Sequence, residues 1–175
     1  AGIEVTSDVM SAEAGALNPG FVKRMLTGKP YVRVKQGISL DGKIALKNGV
    51  SQWITGPEAR QDVHKYRAQS CAVLTGSGTV EADNPSLLVR PSEAKLSAYP
   101  LDTLRQPVRV IVDGQSRLDN HYQCFKDGFP TYLASTLHHA DTKQGQYIKV
   151  NAKGNNVDLS HLMLQLGAMQ FNEVW

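Results

Sequence analysis

The sequence predicts an α/β domain built on a largely parallel central sheet, and three observations predict it. Residues 71–75, following a helix, and residues 108–112, ending in Asp113-Gly114, are short apolar runs that read as buried strands. Thr55-Gly-Pro-Glu58 is a strong helix start ahead of the first run. An apolar stripe of Leu159, Leu162, Met163, Leu166 and Met169 marks a second helix, which leads into a final strand beginning at Phe171. Strands that alternate with helices build parallel sheets.

Residues 1–30 read as an appendage, too poor in apolar residues to form a core alone, so they lean on the body of the chain or on a neighbour outside it. Within them residues 11–17 are weakly helical, Asn18-Pro-Gly20 is a turn signal, and residues 21–26 give one or two helical turns ending at Thr27-Gly28. Residues 31–39 alternate, with Val32 and Val34 toward a core and Arg33 and Lys35 opposite, which predicts a strand. Asp41-Gly42 makes a tight turn, residues 43–46 resume an extended run, and Asn48-Gly49 is a second turn of hairpin type.

In the next helix Thr55 caps, Pro57 suits the first turn and Glu58 completes a capping box. It should run to about Gln69 with Ala59, Val63 and Tyr66 inward and Arg67 near its edge. Gly76-Ser-Gly78 follows the strand at 71–75, a helical turn over 79–82 is stopped by Asn84-Pro85, and residues 91–107 read as a long surface loop. Residues 131–134 and 147–150 are shorter strands, and Asp158 or Ser160 starts the last helix.

A chain of 175 residues with 41% hydrophobic and 20% charged residues fits one domain, or one domain plus an appendage, with a real core. The net charge of +3 is too small to suggest nucleic acid, and no five-residue basic run exists. Cys71 and Cys124 lie far apart with no Cys-x-x-Cys pair, which points to a reduced, cytoplasmic setting, and Cys71 reads as core. No apolar run is long enough for a membrane span, and no basic region followed by an apolar core marks a secretory leader. The first residue is Ala1, not Met, which suggests a fragment.

Gly76-Ser-Gly78-Thr79, between a buried strand and a helical turn, can offer backbone N–H groups to an anion. The third glycine of a dinucleotide fingerprint is Glu81 here, so spacing alone fits a binding loop and a plain turn equally. Asp113-Gly114 is a second glycine-bearing strand end, and two such ends in one sheet suggest a ligand crevice. No metal site is expected: His64, His121 and His161 lack a ligand-spaced partner, and the adjacent His138 and His139 cannot both face one ion. No Gly-x-Ser-x-Gly elbow is present. Lys35, Asp41, Arg67 and Arg90 surround the glycine loops and suit a phosphate with a polar sugar. Trp53 is either a core lid or a stacking surface.

Ile38-Ser-Leu-Asp-Gly-Lys43, Gly49-x-Ser-Gln-Trp-Ile-Thr55, Ala59-Arg-x-Asp-Val-His64, Tyr66-Arg-Ala68 and Gly76-x-Gly-Thr-Val-x-Ala-Asp-Asn-Pro85 through Leu87-x-Val-Arg90 resemble the reductase domain of the bifunctional riboflavin biosynthesis deaminase/reductase family. Val112-Asp-Gly114 extends the match. The resemblance implies a dihydrofolate-reductase-like domain using NADPH. The reaction it implies reduces the ribosyl group of 5-amino-6-(5-phosphoribosylamino)uracil, a phosphorylated pyrimidine, to the ribityl product.

By the family pattern Ser51, Arg67, Leu87 and Arg90 would hold the substrate, and Gly37, Trp53, Thr79, Asp83 and Gly114 the cofactor. Lys35 and, more weakly, Asp41 would be catalytic. A homo-oligomer is implied, with neither nucleic acid nor membrane as partner. Residues 1–30 would be the closing segment and linker of a zinc-dependent deaminase half absent from this chain, and residues 31–175 a reductase domain that stops before a glycine-rich, Glu-containing segment of the family's site. Two other readings stand beside this one: a related reductase of another heterocycle, and a non-catalytic nucleotide-binding module.

Overall fold

A computed structural model describes residues 2–94, 104–137 and 145–175. The chain opens with two helices, α1 (Ser11–Leu17) and α2 (Pro19–Thr27), and reaches the sheet at β1 (Tyr31–Val32). Helix α3 (Pro57–Gln69) leads into β2 (Ala72–Gly76), which passes directly into α4 (Ser77–Asp83). A short α5 (Pro91–Ala94) precedes β3 (Val108–Val112), β4 (Thr131–Ser135) and β5 (Gln146–Lys149). A hairpin of β6 (Ala152–Lys153) and β7 (Asn156–Val157) follows, then α6 (Leu159–Ala168) and β8 (Glu173–Val174).

The main sheet has the order β1-β8-β2-β3-β4-β5, and every pairing in it is parallel. Both faces are covered, and the strands show it by alternation. Ala72, Val110 and Ala134 join Leu162 and Leu166 of α6 in one core cluster. Their neighbours Val73, Ile111 and Leu133 join Val80 of α4 and Leu87 in another. A period of two with apolar residues on both faces is what a doubly covered parallel sheet requires. Asp158 caps α6, its carboxylate accepting from the Ser160 and His161 N–H groups at 2.9 and 3.2 Å.

Several expectations need correction. Asn18-Pro-Gly20 is not a turn: Pro19 opens α2, where its missing N–H costs nothing, and Gly28 closes that helix at φ +69. The strand at 31–39 is only Tyr31–Val32, and Val32 and Val34 are exposed because β1 is an edge strand whose pairing with β8 is brief. Residues 43–46 form no strand. Gly56, not Thr55, is the N-cap of α3, with no side-chain bond from either Thr55 or Glu58.

Helix α3 also turns differently from expectation. His64 and Ala68 are buried, Ala59 is exposed, and Val63 and Tyr66 are only half-buried. Within the predicted loop at 91–107, residues 91–94 are helical; residues 95–103 lie outside the described residues. Cys71 is half-buried at the foot of β2, not core, and Leu159 is exposed at the start of its helix. The β6–β7 hairpin was not anticipated from the sequence.

Helix α6 packs tightly against the end of α2 at Gly167. A Cβ built on Gly167 would lie 1.8 Å from the Gly28 carbonyl oxygen, a backbone atom that cannot rotate away. Gly167→Ala should therefore destabilise the protein by about 1–3 kcal/mol or more, despite alanine's better helix propensity. Gly15→Ala in α1, where the added methyl meets nothing within 4 Å, should leave stability unchanged or slightly raised. Thermal unfolding of the two variants side by side checks this.

Candidate active site

The candidate site lies beyond the carboxyl ends of β1, β8, β2 and β3, where parallel sheets present loops and helix starts. After β1 the chain runs extended to Lys35 and then folds into two tight turns. In each, a glycine with φ near +80 follows the turn: Gly42 N–H donates to Ser39 O at 2.9 Å, and Gly49 N–H to Leu46 O at 2.9 Å. Each turn is closed one residue further on, by Ser39 N–H to Lys43 O and by Leu46 N–H to Val50 O. Both signals, Asp41-Gly42 and Asn48-Gly49, thus make three-residue hairpin loops with the glycine at the left-handed position.

Helix α3 supplies one wall of a cleft of about 510 Å³. Arg60, His64 and Arg67 project into it from successive turns, facing Lys35 and Trp53 on one side and Arg90 and Glu93 on the other. Arg60 donates to Thr55 O at 2.6 Å and holds its guanidinium 4.4 Å from the centre of the Trp53 ring. That cation–π contact fixes the indole as a wall. Arg67 is largely enclosed. Its Nη1 reaches Leu88 O at 3.4 Å, and its Nε is buried with no hydrogen-bond partner among the described residues. Burial first, and then the charge of Arg90, lower the Arg67 pKa from its ordinary value.

His64 is 5% exposed. Its Nδ1 accepts the Arg90 backbone N–H at 3.2 Å, and its Nε2 lies 3.4 Å from a Glu93 carboxylate oxygen. Burial is the largest cause lowering its pKa below 6.5, followed by the positive charge of Arg67, with Glu93 opposing.

Two further concavities continue the cleft. An apolar groove of about 350 Å³ runs over Val34, Leu74, Met163, Val174 and Trp175, and Lys35 lines both it and the cationic cleft. Leu159 lines that groove and also a polar cleft of about 640 Å³. The polar cleft is bordered by Ser77, Gly114, Gln115, Arg117 and Asn156. The sequence of surfaces is cationic, then apolar, then polar, with Lys35 at the first junction and Leu159 at the second.

The expected site residues divide accordingly. Lys35, Trp53, Arg67 and Arg90 come together in the cationic cleft, and the Cβ position of Gly37 lies 3.5 Å from Lys35 Nζ. Gly114 lines the polar cleft, where a Cβ would meet Val157 at 3.0 Å. Thr79 and Asp83 are exposed on α4, and Ser51 is exposed in the second hairpin. Asp41 is exposed too, its carboxylate accepting the Ser39 hydroxyl. Leu87 buries its side chain in the core at φ +61, so its polar contacts are restricted to backbone atoms. Arg60, His64 and Glu93 were not singled out. The first two were legible in principle, since positions 60, 64 and 67 share one helical face.

His138 and His139 lie outside the described residues. Among the described residues no three His, Cys, Asp or Glu side chains gather as a metal site, and no helix is long and apolar enough to cross a membrane.

A wholly parallel main sheet, glycine-bearing strand ends and a cation-lined cleft define an α/β domain with a candidate ligand site at the carboxyl ends of its strands. Residues 30–175 match the RibD C-terminal domain family, and the chain belongs to it. It is 43% identical to the riboflavin biosynthesis protein RibD of Escherichia coli K12 over all of this chain and 49% of that protein. To RibD of Haemophilus influenzae it is 42% identical, over all of this chain and 48% of the relative. The chain thus spans about half the length of these relatives.

Among solved structures, Acinetobacter baumannii RibD superposes with a TM-score of 0.82 at 36% identity, covering 99% of this chain and 46% of that one. The Thermotoga maritima diaminohydroxyphosphoribosylaminopyrimidine deaminase/5-amino-6-(5-phosphoribosylamino)uracil reductase gives 0.79 at 29% identity, covering 99% and 46%. A Saccharomyces cerevisiae riboflavin biosynthesis reductase shares the fold, with a TM-score of 0.63 at 19% identity, covering 93% of this chain and 70% of that one. The dihydrofolate-reductase-like architecture implied by the sequence motifs is therefore the fold of this chain.

The His64 environment sets a pH dependence. The unfolded chain takes up the imidazole proton near pH 6.5, whereas the folded chain takes it up only at lower pH. In that interval the unfolded state binds more protons, so stability is level above pH 6.5 and falls as pH drops through the folded pKa. Urea unfolding between pH 7.5 and pH 5 should show this loss, and His64→Gln should flatten it. An equal slope in that variant would remove His64 as its source.

Proposed function

We propose that this domain carries out NADPH-dependent reduction of 5-amino-6-(5-phosphoribosylamino)uracil to 5-amino-6-(5-phosphoribitylamino)uracil. The observation that carries the reading is that the cationic cleft and the apolar groove share Lys35, and the apolar groove and the polar cleft share Leu159. A phosphorylated sugar needs cations at one end, a nicotinamide ring needs an apolar bed beside the reacting carbon, and the rest of a dinucleotide needs polar donors and an arginine. Those surfaces occur here in that order.

The residues fit the cofactor. Arg117 donates to Ser77 at 2.9 Å and leans on Glu81 at 3.6 Å, leaving a cation at the edge of the polar cleft, and Gly76 and Gly78 have open space where a Cβ would stand. Gly37, Trp53, Thr79, Asp83 and Gly114 are the cofactor-side residues of this reading, although only Gly114 lines the polar cleft, while Trp53 lines the cationic one and Thr79 and Asp83 are exposed on α4. Bound there, NADPH supplies a hydride for C1′ of the sugar in its open, imine-like form.

Arg67 and Arg90 take the phosphate, assisted by Ser51 and by the Leu87 backbone, and they anchor the substrate so that C1′ falls at the junction beside the groove. The Lys35 ammonium polarises the ribose or delivers a proton there, and Asp41 is the weaker candidate for that role. In this reading residues 31–175 are the reductase domain and residues 1–30 the closing segment of a zinc deaminase half. The whole is a cytoplasmic homo-oligomer.

Single-turnover oxidation of NADPH by the full-length protein, with the pyrimidine ribosyl phosphate as substrate, is the direct test; no oxidation sinks the reading. Arg67→Met should raise KM about 10- to 100-fold, the worth of charge-assisted hydrogen bonds to phosphate. Lys35→Met should lower kcat by about 100-fold or more while KM changes little. An unchanged rate for Lys35→Met would withdraw the role given to that lysine alone.

A further inference from the structure

Glu93 is the one carboxylate lining the cationic cleft among the described residues, and its two oxygens are divided between two donors. Oε1 accepts from Arg90 Nη1 at 2.6 Å, and Oε2 lies 3.4 Å from His64 Nε2. The other ring nitrogen of His64 accepts the Arg90 backbone N–H at 3.2 Å. A neutral imidazole that accepts at Nδ1 carries its proton at Nε2, so Nε2 is a donor aimed at Glu93. Two donors from two different elements, α3 and the segment leading into α5, thus converge on one anionic group. Arg67 stands behind them with a buried Nε that has no partner among the described residues. That is more donor capacity than one half-exposed carboxylate consumes.

Resting on the assignment of this cleft to the phosphorylated end of the substrate, we infer that Glu93 is a resident anion that holds the phosphate seat on Arg90 in the free protein, and that His64 is a further phosphate ligand through Nε2 once Glu93 leaves. The exchange needs little motion. The Glu93 side chain is 43% exposed and can rotate into solvent, while α5 stays anchored by Ala94, which is buried. A phosphate brings three acceptor oxygens where the carboxylate has two, so it can engage Arg90 and His64 together and still reach toward Arg67. The arrangement also confers selectivity. Displacing a carboxylate from an arginine favours a dianion over a monoanion of similar size, so the cleft discriminates phosphorylated from merely acidic ligands. In the free protein Glu93 offsets part of the Arg90 charge, which still bears on Arg67.

The test is calorimetric titration of the full-length protein with inorganic phosphate at pH 7.5. Removing the competing charge with Glu93→Gln or Glu93→Ala should tighten phosphate binding about two- to fivefold, the scale of a partly exposed ion pair. Adding His64→Gln to either variant should take back much of that gain. Arg90→Met should abolish measurable binding. Phosphate affinity unchanged or weakened by both Glu93 variants, with Arg90→Met still defective, overturns the inference and leaves the cleft assignment standing. Phosphate binding indifferent to Arg90→Met overturns both.

Discussion

The structure depends on the insertion of β8 between β1 and β2. Only two residues, Glu173 and Val174, are strand by their pairing, yet the segment around them carries hydrogen bonds in both directions. Tyr31 and Arg33 N–H groups donate to Asn172 and Val174 on one side; Cys71 and Leu74 N–H groups donate to Glu173 and Trp175 on the other. Without this strip β1 has no partner in the main sheet, and Lys35, three residues beyond β1, has no fixed position relative to β2. The same strip positions α3. Trp175 stacks on Tyr66 with ring centres 4.9 Å apart and planes 6° from parallel, which turns the Arg60–His64–Arg67 face of the helix toward the cleft. Helix α2 is tied to it as well, through Arg24 Nε to Asn172 Oδ1 at 2.6 Å. One short parallel strand thus sets the spacing between the lysine and the arginines.

Much of this was legible because the signals were local. Residues 108–112 could hardly be anything but a buried strand, and Asp158 caps its helix as its chemistry dictates. The turn glycines at 42 and 49 also acted locally, since a positive φ is needed whatever lies around them. What was not legible depended on distant pairing. Val32 and Val34 alternate as a core-facing strand should, but β1 lies at the edge of the sheet, where they stay exposed among the described residues. The orientation of α3 was misjudged for a related reason. Its most apolar residues suggested an inward face through Ala59, Val63 and Tyr66, whereas the helix is rotated so that a histidine and an arginine line a cleft. Counting apolar residues cannot detect a face whose purpose is to hold cations. The motif resemblance covers this stretch of chain, but it could not say that Lys35, Trp53, Arg67 and Arg90 converge while Thr79 and Asp83 stay on an exposed helix.

Two enclosed arginines show how placement separates structure from function. Arg109 in β3 is fully buried, and its guanidinium is met by both Asp127 carboxylate oxygens at 2.7 Å, by Phe129 O at 2.6 Å and by Ser86 O at 3.2 Å. Only its Nε goes unpaired. A buried charge so compensated is self-sufficient: removing either partner would strand the other, while the pair itself asks nothing of a ligand. Its hold on Ser86 O anchors the chain just before Leu87, at the base of the segment that presents Arg90. Arg67 is the opposite case. It is desolvated, it faces a second arginine, and its one hydrogen bond is long. Among the described residues no acidic side chain neutralises it directly, since the carboxylate in the cleft, Glu93, is engaged by Arg90 and His64. Folding alone gives little reason to bury a cation on those terms, because a neutral side chain of similar shape would avoid the desolvation. On the function proposed above, an anion that arrives from outside would supply the missing compensation, and the energy left unsatisfied at Arg67 in the free protein would become binding energy for that anion.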